Sequence, residues 1–139
     1  TTAKYGLGQT ITTIDENNDV REYIYVKAGA DLTAKDTVMV NPGFVAVAPS
    51  TSAFAKITGV ANIGVADGSY FFLQIKGKTV ATTAGAVTAT HTGKLTNTNK
   101  TVTDESGTAQ TAKTFCVIDE TLAAAGNAEI VLFGIGQQI

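Results

Sequence analysis

The chain has 139 residues (14.3 kDa), with 12 acidic and 10 basic side chains, one His, one Cys and no Trp. With 44% hydrophobic and only 16% charged residues, it has enough apolar surface to fold as one domain over residues 1–139, which excludes a disordered chain. A net charge of −2 offers no electrostatic footprint for nucleic acid or an anionic membrane, and one Cys and one His exclude an internal disulfide and a multi-His metal cage.

At the N-terminus, Thr1–Tyr5 lacks a basic region followed by an apolar core, so no secretion signal is expected. Residues Thr1–Gln9 place Gly6 and Gly8 around Leu7, a poor helix and a flexible strand. On an extended chain Tyr5 and Leu7 fall on one side. Such an arm orders either against a neighbouring subunit or as a first strand of its own sheet. A strand is expected over Gly8–Ile14, followed by the polar hairpin loop Asp15–Asp19. In Val20–Lys27, Val20, Ile24 and Val26 share one face while Arg21, Tyr23, Tyr25 and Lys27 share the other, the period-2 signature of a strand.

Further strands are expected over Thr37–Val40, Phe44–Ala48 and Lys56–Ala66, with tight turns at Asn41-Pro42-Gly43 and Ala66-Asp67-Gly68. Ser69–Lys76 alternates again, Phe71, Leu73 and Ile75 opposing Tyr70, Phe72, Gln74 and Lys76. Lys78–Thr83 reads as a separate strand. The segment 79–113 is rich in Thr, Ala and Asn and poor in large apolar side chains, which suits either a pair of exposed strands with long loops or order imposed by a partner. Thr114–Ile118 and Ala128–Phe133 are strands, the second apolar on both faces. Between them, Asp119–Gly126 predicts one short helix, with Asp119 as cap, Glu120 at the positive end and Gly126 as stop. Short strands at intervals of about ten residues predict a mainly β domain, a compact barrel or sandwich. The longest apolar runs, such as Ile130–Phe133, fall far short of the ~20 residues needed to span a bilayer.

The residues offer little chemistry. His91 lies in Thr90-His91-Thr92 with no carboxylate beside it and reads as an exposed loop histidine; Cys116, in Thr114–Ile118, reads as a buried strand thiol. Gly77-Lys78-Thr79 resembles the tail of a phosphate loop, but Phe72 stands where its first glycine belongs. The oxygens of Asp15–Asp19 alternate as in a calcium loop, yet Val20 replaces its glycine and Val26 its closing glutamate. The Asn99-Lys100-Thr101 sequon has no expected access to glycosylation. No catalytic residue, cofactor or metal is therefore expected, and the chain is read as no enzyme. The aromatic stripes Tyr23/Tyr25 and Tyr70/Phe72 suit a protein interface, a sugar-stacking platform, or burial by a closed barrel or trimer. Together with Tyr5 and Leu7 they form the candidate interface.

Ile57-Thr58-Gly59-Val60-Ala61, then Gly64–Tyr70 and Gln74-Ile75-Lys76-Gly77, resemble the central signature of the small phage capsid decoration (cement) proteins. Val26–Val38 is similar to that family's loop before its second core strand, and Cys116–Thr121 with Glu129–Phe133 to its closing segment. The likeness spans most of 20–134 and is least over 79–113. It implies a β-tulip type module bound to the exterior of an icosahedral head, with the major capsid protein and further copies of itself, as a homotrimer, for partners, and neither nucleic acid nor membrane. The location implied is the outer surface of the virion, where such a protein cements neighbouring subunits against the pressure of packaged DNA. Free ends, Thr1–Gln9 and Gly134–Ile139, would then supply arms to neighbours. The alternative from the residues is a carbohydrate- or receptor-binding β module of a virion fibre or surface protein.

Overall fold

The computed structural model describes residues 2–49, 57–95, 100–106 and 114–134, and among these it holds ten strands and no helix. In chain order they are β1 (Thr10–Ile14), β2 (Val20–Ala28), β3 (Thr37–Val40), β4 (Val45–Val47), β5 (Ile57–Val60), β6 (Tyr70–Thr82), β7 (Thr92–Leu95), β8 (Val102–Asp104), β9 (Thr114–Ile118) and β10 (Asn127–Phe133). The C-terminal arm beyond Gly134, Lys56 and, within the Thr/Asn-rich segment, residues 96–99 (with the sequon's Asn99) and 107–113 lie outside the described residues.

Five strands close on themselves in the order β2-β4-β3-β5-β6 and back to β2, a small barrel with only β2–β4 parallel. Closure removes the free edges that a five-stranded open sheet would expose. The alternation of β2 and β6 decides its lining: Ile24, Val26 and Ala28 point inward with Phe71, Leu73 and Ile75, and meet Val38, Val40 and Ala46. Leu32 and Val65 exchange backbone hydrogen bonds of 2.7 and 2.9 Å and join this core. The β1–β2 hairpin extends beyond the barrel, and all five β1 residues are exposed.

β6 belongs to two sheets. Tyr70–Lys76 pairs with β2, whereas Lys76–Thr82 pairs with β10 in unbroken register, Lys76↔Phe133 to Thr82↔Asn127. The strands expected at 69–76 and 78–83 are thus one strand of 13 residues. Gly77 sits at the transfer with φ +95°, and a Cβ there would stand 2.3 Å from the Val20 carbonyl oxygen. Beyond it the order β6-β10-β9-β7-β8 forms a second sheet over Ala81, Leu95, Val102, Phe115, Cys116, Ile130 and Leu132. Val60, from the barrel strand β5, packs in this second core and ties the two units together.

Five expectations change. The expected helix at 119–126 is absent: Leu122 exchanges backbone hydrogen bonds with Val87 (2.9 and 3.0 Å), Asp119 N–H donates to Glu129 C=O, and the Thr121 hydroxyl accepts from Ala89 N–H. A helix this short gains few internal hydrogen bonds against its nucleation cost. Extended pairing also packs the partly buried Leu122 against Val87, Ile118 and Ala128. Lys56–Ala66 shortens to β5, because the chain bends at Asn62–Ile63 before the Val65 bridge, and Phe44–Ala48 shortens to Val45–Val47, since Phe44 takes φ +60°. The Thr/Asn-rich segment contributes β7 and β8, whose Leu95 and Val102 are buried in the second core. Residues 2–9 form no extended strand. Gln9 N–H donates to Gly6 C=O at 3.1 Å, and Gly8 holds φ +86° at the glycine position of a tight turn.

Candidate interaction surface

The outward residues of β2 and β6 meet across the barrel wall. Tyr25 lies opposite Phe72, ring centroids 4.9 Å apart, and stacks on Tyr70 at 6.0 Å with an interplanar angle of 18°. The N-terminal segment folds back onto this stripe. Tyr5 stands edge-on to Tyr25 at 5.2 Å and tilted over Phe72 at 5.6 Å, and Lys4 N–H donates to Tyr25 Oη at 3.1 Å. Gly8 N–H and Gln9 C=O bond the two backbone groups of Tyr25, each at 2.8 Å. In the chain by itself, residues 4–9 therefore rest on their own barrel. Tyr25, expected at a surface, is only 5% exposed, whereas Tyr5 is 52% exposed and Tyr70 and Phe72 are half-buried. Leu7 is exposed, as are Ile11 and Ile14 of β1 and the cross-strand neighbour Val20. Tyr23 stands apart from the aromatic group and turns toward a groove beside β6.

That groove was not foreseen, because it depends on β6 changing partners. Thr83 N–H donates to Gly126 C=O, so in the β6–β10 register Thr79 and Ala81 bond β10, while Lys78, Val80 and Thr82 turn their backbone groups away. Lys78 C=O accepts from Arg21 Nε (3.1 Å) and Gln74 Nε2 (2.8 Å), and Thr82 N–H donates to Lys35 C=O (3.1 Å). Between them the N–H and C=O of Val80 face a hollow of about 350 Å3, bordered by Tyr23, Lys35, Asn62 and Gln74. A second hollow of about 240 Å3 continues it toward Asp119 and Glu129. Arg21 is held by Asp15 at 2.7 Å, and that guanidinium together with the Asp19 amide keeps the Asp15 carboxyl below the usual range. Asp15 also accepts from the backbone of Asn17 and Asp19, so the acidic loop is a hairpin tip folded around its first carboxylate.

His91 differs from its expectation. Although its chain neighbours carry no carboxylate, Asp104 of β8 reaches its Nδ1 at 2.8 Å, and the ring is half-buried. Next to it the buried carboxylate of Glu105 accepts from the hydroxyls of Thr92 (2.8 Å) and Thr114 (2.6 Å). The His–carboxylate pair is locked into a turn: Asp104 also accepts from the amides of Thr88 and Ser106. Burial opposes ionisation of Asp104, but the Ser106 amide, the His91 ring and the Thr88 amide together hold its carboxyl below the ordinary range. A depressed carboxylate contributes stability that is present above its unfolded pKa, about 4, and is lost as pH falls through the folded value. Asp104→Asn should therefore lower the urea midpoint at pH 7, and the wild-type advantage should shrink from about pH 5 downward. A difference between the two proteins that stays constant from pH 7 to pH 3 would exclude the ionised carboxylate as its source. Cys116 is fully buried in β9, where desolvation pushes its thiol well above the usual range.

No known protein family matches the chain, and no curated protein does. Among solved structures, the chain is similar to the N base of the head fiber gp8.5 of bacteriophage phi29. The TM-score is 0.57 at 10% identity, over 89% of this chain and 94% of that one. At this identity the likeness is one of fold: two chains with few residues in common follow a similar overall course over most of their lengths. Membership of the decoration family, which the central motifs implied, finds no family match.

Proposed function

We propose that this chain is a structural protein of a bacteriophage head, bound to the outer face of the icosahedral shell, where it cements neighbouring major capsid subunits. The observation that carries this reading is the fold. It spans nearly the whole of a module known from a phage head fiber, and the motif resemblance to decoration proteins points to the same location. The surface suits adhesion without catalysis. Tyr5, Tyr70 and Phe72 form an aromatic patch, and the exposed edge strand β1 next to it carries Ile11 and Ile14. Aromatic patches with polar tips make effective contact surfaces, and an open strand edge accepts a further strand. We assign copies of the chain to a homotrimer around this surface. Neither nucleic acid nor membrane is among its partners. A protein that binds only the assembled shell stabilises it by mass action, and many copies add their modest affinities.

The test is co-sedimentation of the purified protein with expanded capsids lacking it, alongside unassembled capsid protein, followed by cryo-electron microscopy. Retention on capsids alone, a raised capsid disruption temperature and density for trimers are expected. Equal retention on unassembled subunits, or none on capsids, would refute the cementing role, and isolated monomers on the shell would refute the trimer.

A further inference from the structure

We propose that the groove beside β6 is a binding site for a short acidic saccharide, a function separate from attachment to a head. The two hollows share Arg21, Lys78, Thr79 and Val80 and so form one open trough along the strand edge, about 350 Å3 in its larger part. That size lies at the lower end of small-ligand sites, roughly 300–1,000 Å3.

The lining selects the ligand class. Of the three cations at the larger hollow, Arg21 is paired with Asp15 at 2.7 Å and Lys78 with Asp19 at 3.8 Å. Lys35 has no carboxylate within ion-pair distance among the described residues. One unpaired ammonium calls for one carboxylate, not for a polyanion. Next to it, Val80 presents a donor and an acceptor side by side, which a sugar hydroxyl, both donor and acceptor, satisfies from either side. Asn62, at the border of the groove, donates one amide hydrogen to Gln74 Oε1 (2.8 Å) and accepts from the Thr79 hydroxyl (2.8 Å), which fixes its plane and leaves its second amide hydrogen outside these two bonds. The Tyr23 ring supplies an apolar wall for the carbon face of a pyranose. An extended peptide fits worse. Strand addition needs successive open backbone groups, and here the carbonyl of Lys78 and the amide of Thr82 on either side of Val80 are already taken.

The experiment is an amide NMR titration of the whole chain with three saccharides of one carboxylate each, sialyllactose, galacturonate and a hyaluronan disaccharide, with lactose as the neutral reference. Saturable shifts at Thr79 and Val80 are expected with at least one acidic probe, with lactose about tenfold weaker or more. Lys35→Asn removes the ammonium while keeping a residue that accepts the φ of +77° found there, and should abolish the acidic preference. Tyr23→Ala should weaken acidic and neutral binding alike. Melting curves identify any variant that has lost its fold, in which case Lys35→Gln replaces it. No saturable shift with any probe, equal affinity for lactose, or an acidic preference that survives loss of the Lys35 ammonium would overturn the proposal. None of these outcomes bears on retention by capsids.

Discussion

Gly77→Ala is expected to lower the melting temperature by about 10 °C or more, although it adds a single methyl group. Two costs coincide at this position. Its φ of +95° lies in the region where an L side chain costs roughly 1–2 kcal/mol. In addition, the new Cβ would stand 2.3 Å from the Val20 carbonyl oxygen and 3.3 Å from Arg21 Cα. These are backbone atoms of β2, which begins where β6 passes to the second sheet, so they cannot rotate aside as a side chain would. Forced overlap of this kind typically adds about 1–3 kcal/mol. Gly68→Ala is the control. Gly68 also has a positive φ, +81°, but nothing lies within 4 Å of its added Cβ, so only the conformational share of about 1 kcal/mol should appear. Equal melting shifts for the two variants would show that backbone strain alone acts, and that the close approach of β2 to the pivot carries no weight.

The same pivot marks where sequence reasoning stops. Alternation in Val20–Lys27 and Ser69–Lys76 was legible because large apolar and polar side chains occupy opposite faces, and the structure turns Ile24, Val26, Phe71, Leu73 and Ile75 into the barrel; Val20, expected on the same face, is instead exposed in the β1–β2 hairpin beyond it. Gly77 then looked like punctuation between two strands, since a glycine at a turn and a glycine at a close backbone crossing have the same sequence signature. The helix at 119–126 failed for a related reason. Its capping residues are local signals, whereas Val87, which takes both backbone groups of Leu122, is distant in the chain. The segment of β7 and β8 left exposed strands and partner-imposed order both open, because its only large apolar side chains buried in those strands are Leu95 and Val102, set among Thr, Gly and Lys; the buried Gly93 lets β7 approach so closely that an added Cβ would stand 2.6 Å from Cys116 Sγ. Long-range placement was least accessible. The aromatic stripe could be read from its own strands, but the covering of Tyr25 by Tyr5, the pairing of His91 with Asp104 and the groove at Val80 all follow from register and from the change of partners along β6.

Phe115→Ala is expected to destabilise the protein by about 3–5 kcal/mol, the range for a buried aromatic truncated in a core that cannot collapse around the loss. Phe115 is buried in the second sheet, far in sequence from the barrel, yet the effect should register in the barrel itself. Val60 of β5 packs in the same cluster as Phe115, and Ile130 and Leu132 of that cluster are paired with Thr79 and Gly77 on β6, whose other half is a barrel strand. Neither unit can therefore lose its packing without pulling on the shared strand. All four tyrosines, Tyr5, Tyr23, Tyr25 and Tyr70, belong to the barrel side and the chain has no Trp, so tyrosine fluorescence reports on the barrel alone while far-UV circular dichroism reports on every strand. In Phe115→Ala the two signals should fall together, at one urea midpoint well below the wild-type value. A tyrosine midpoint that stays at the wild-type value while the dichroism acquires an earlier phase would show two independently folding units, and β6 would then be a linker between cores instead of the strand that makes them one.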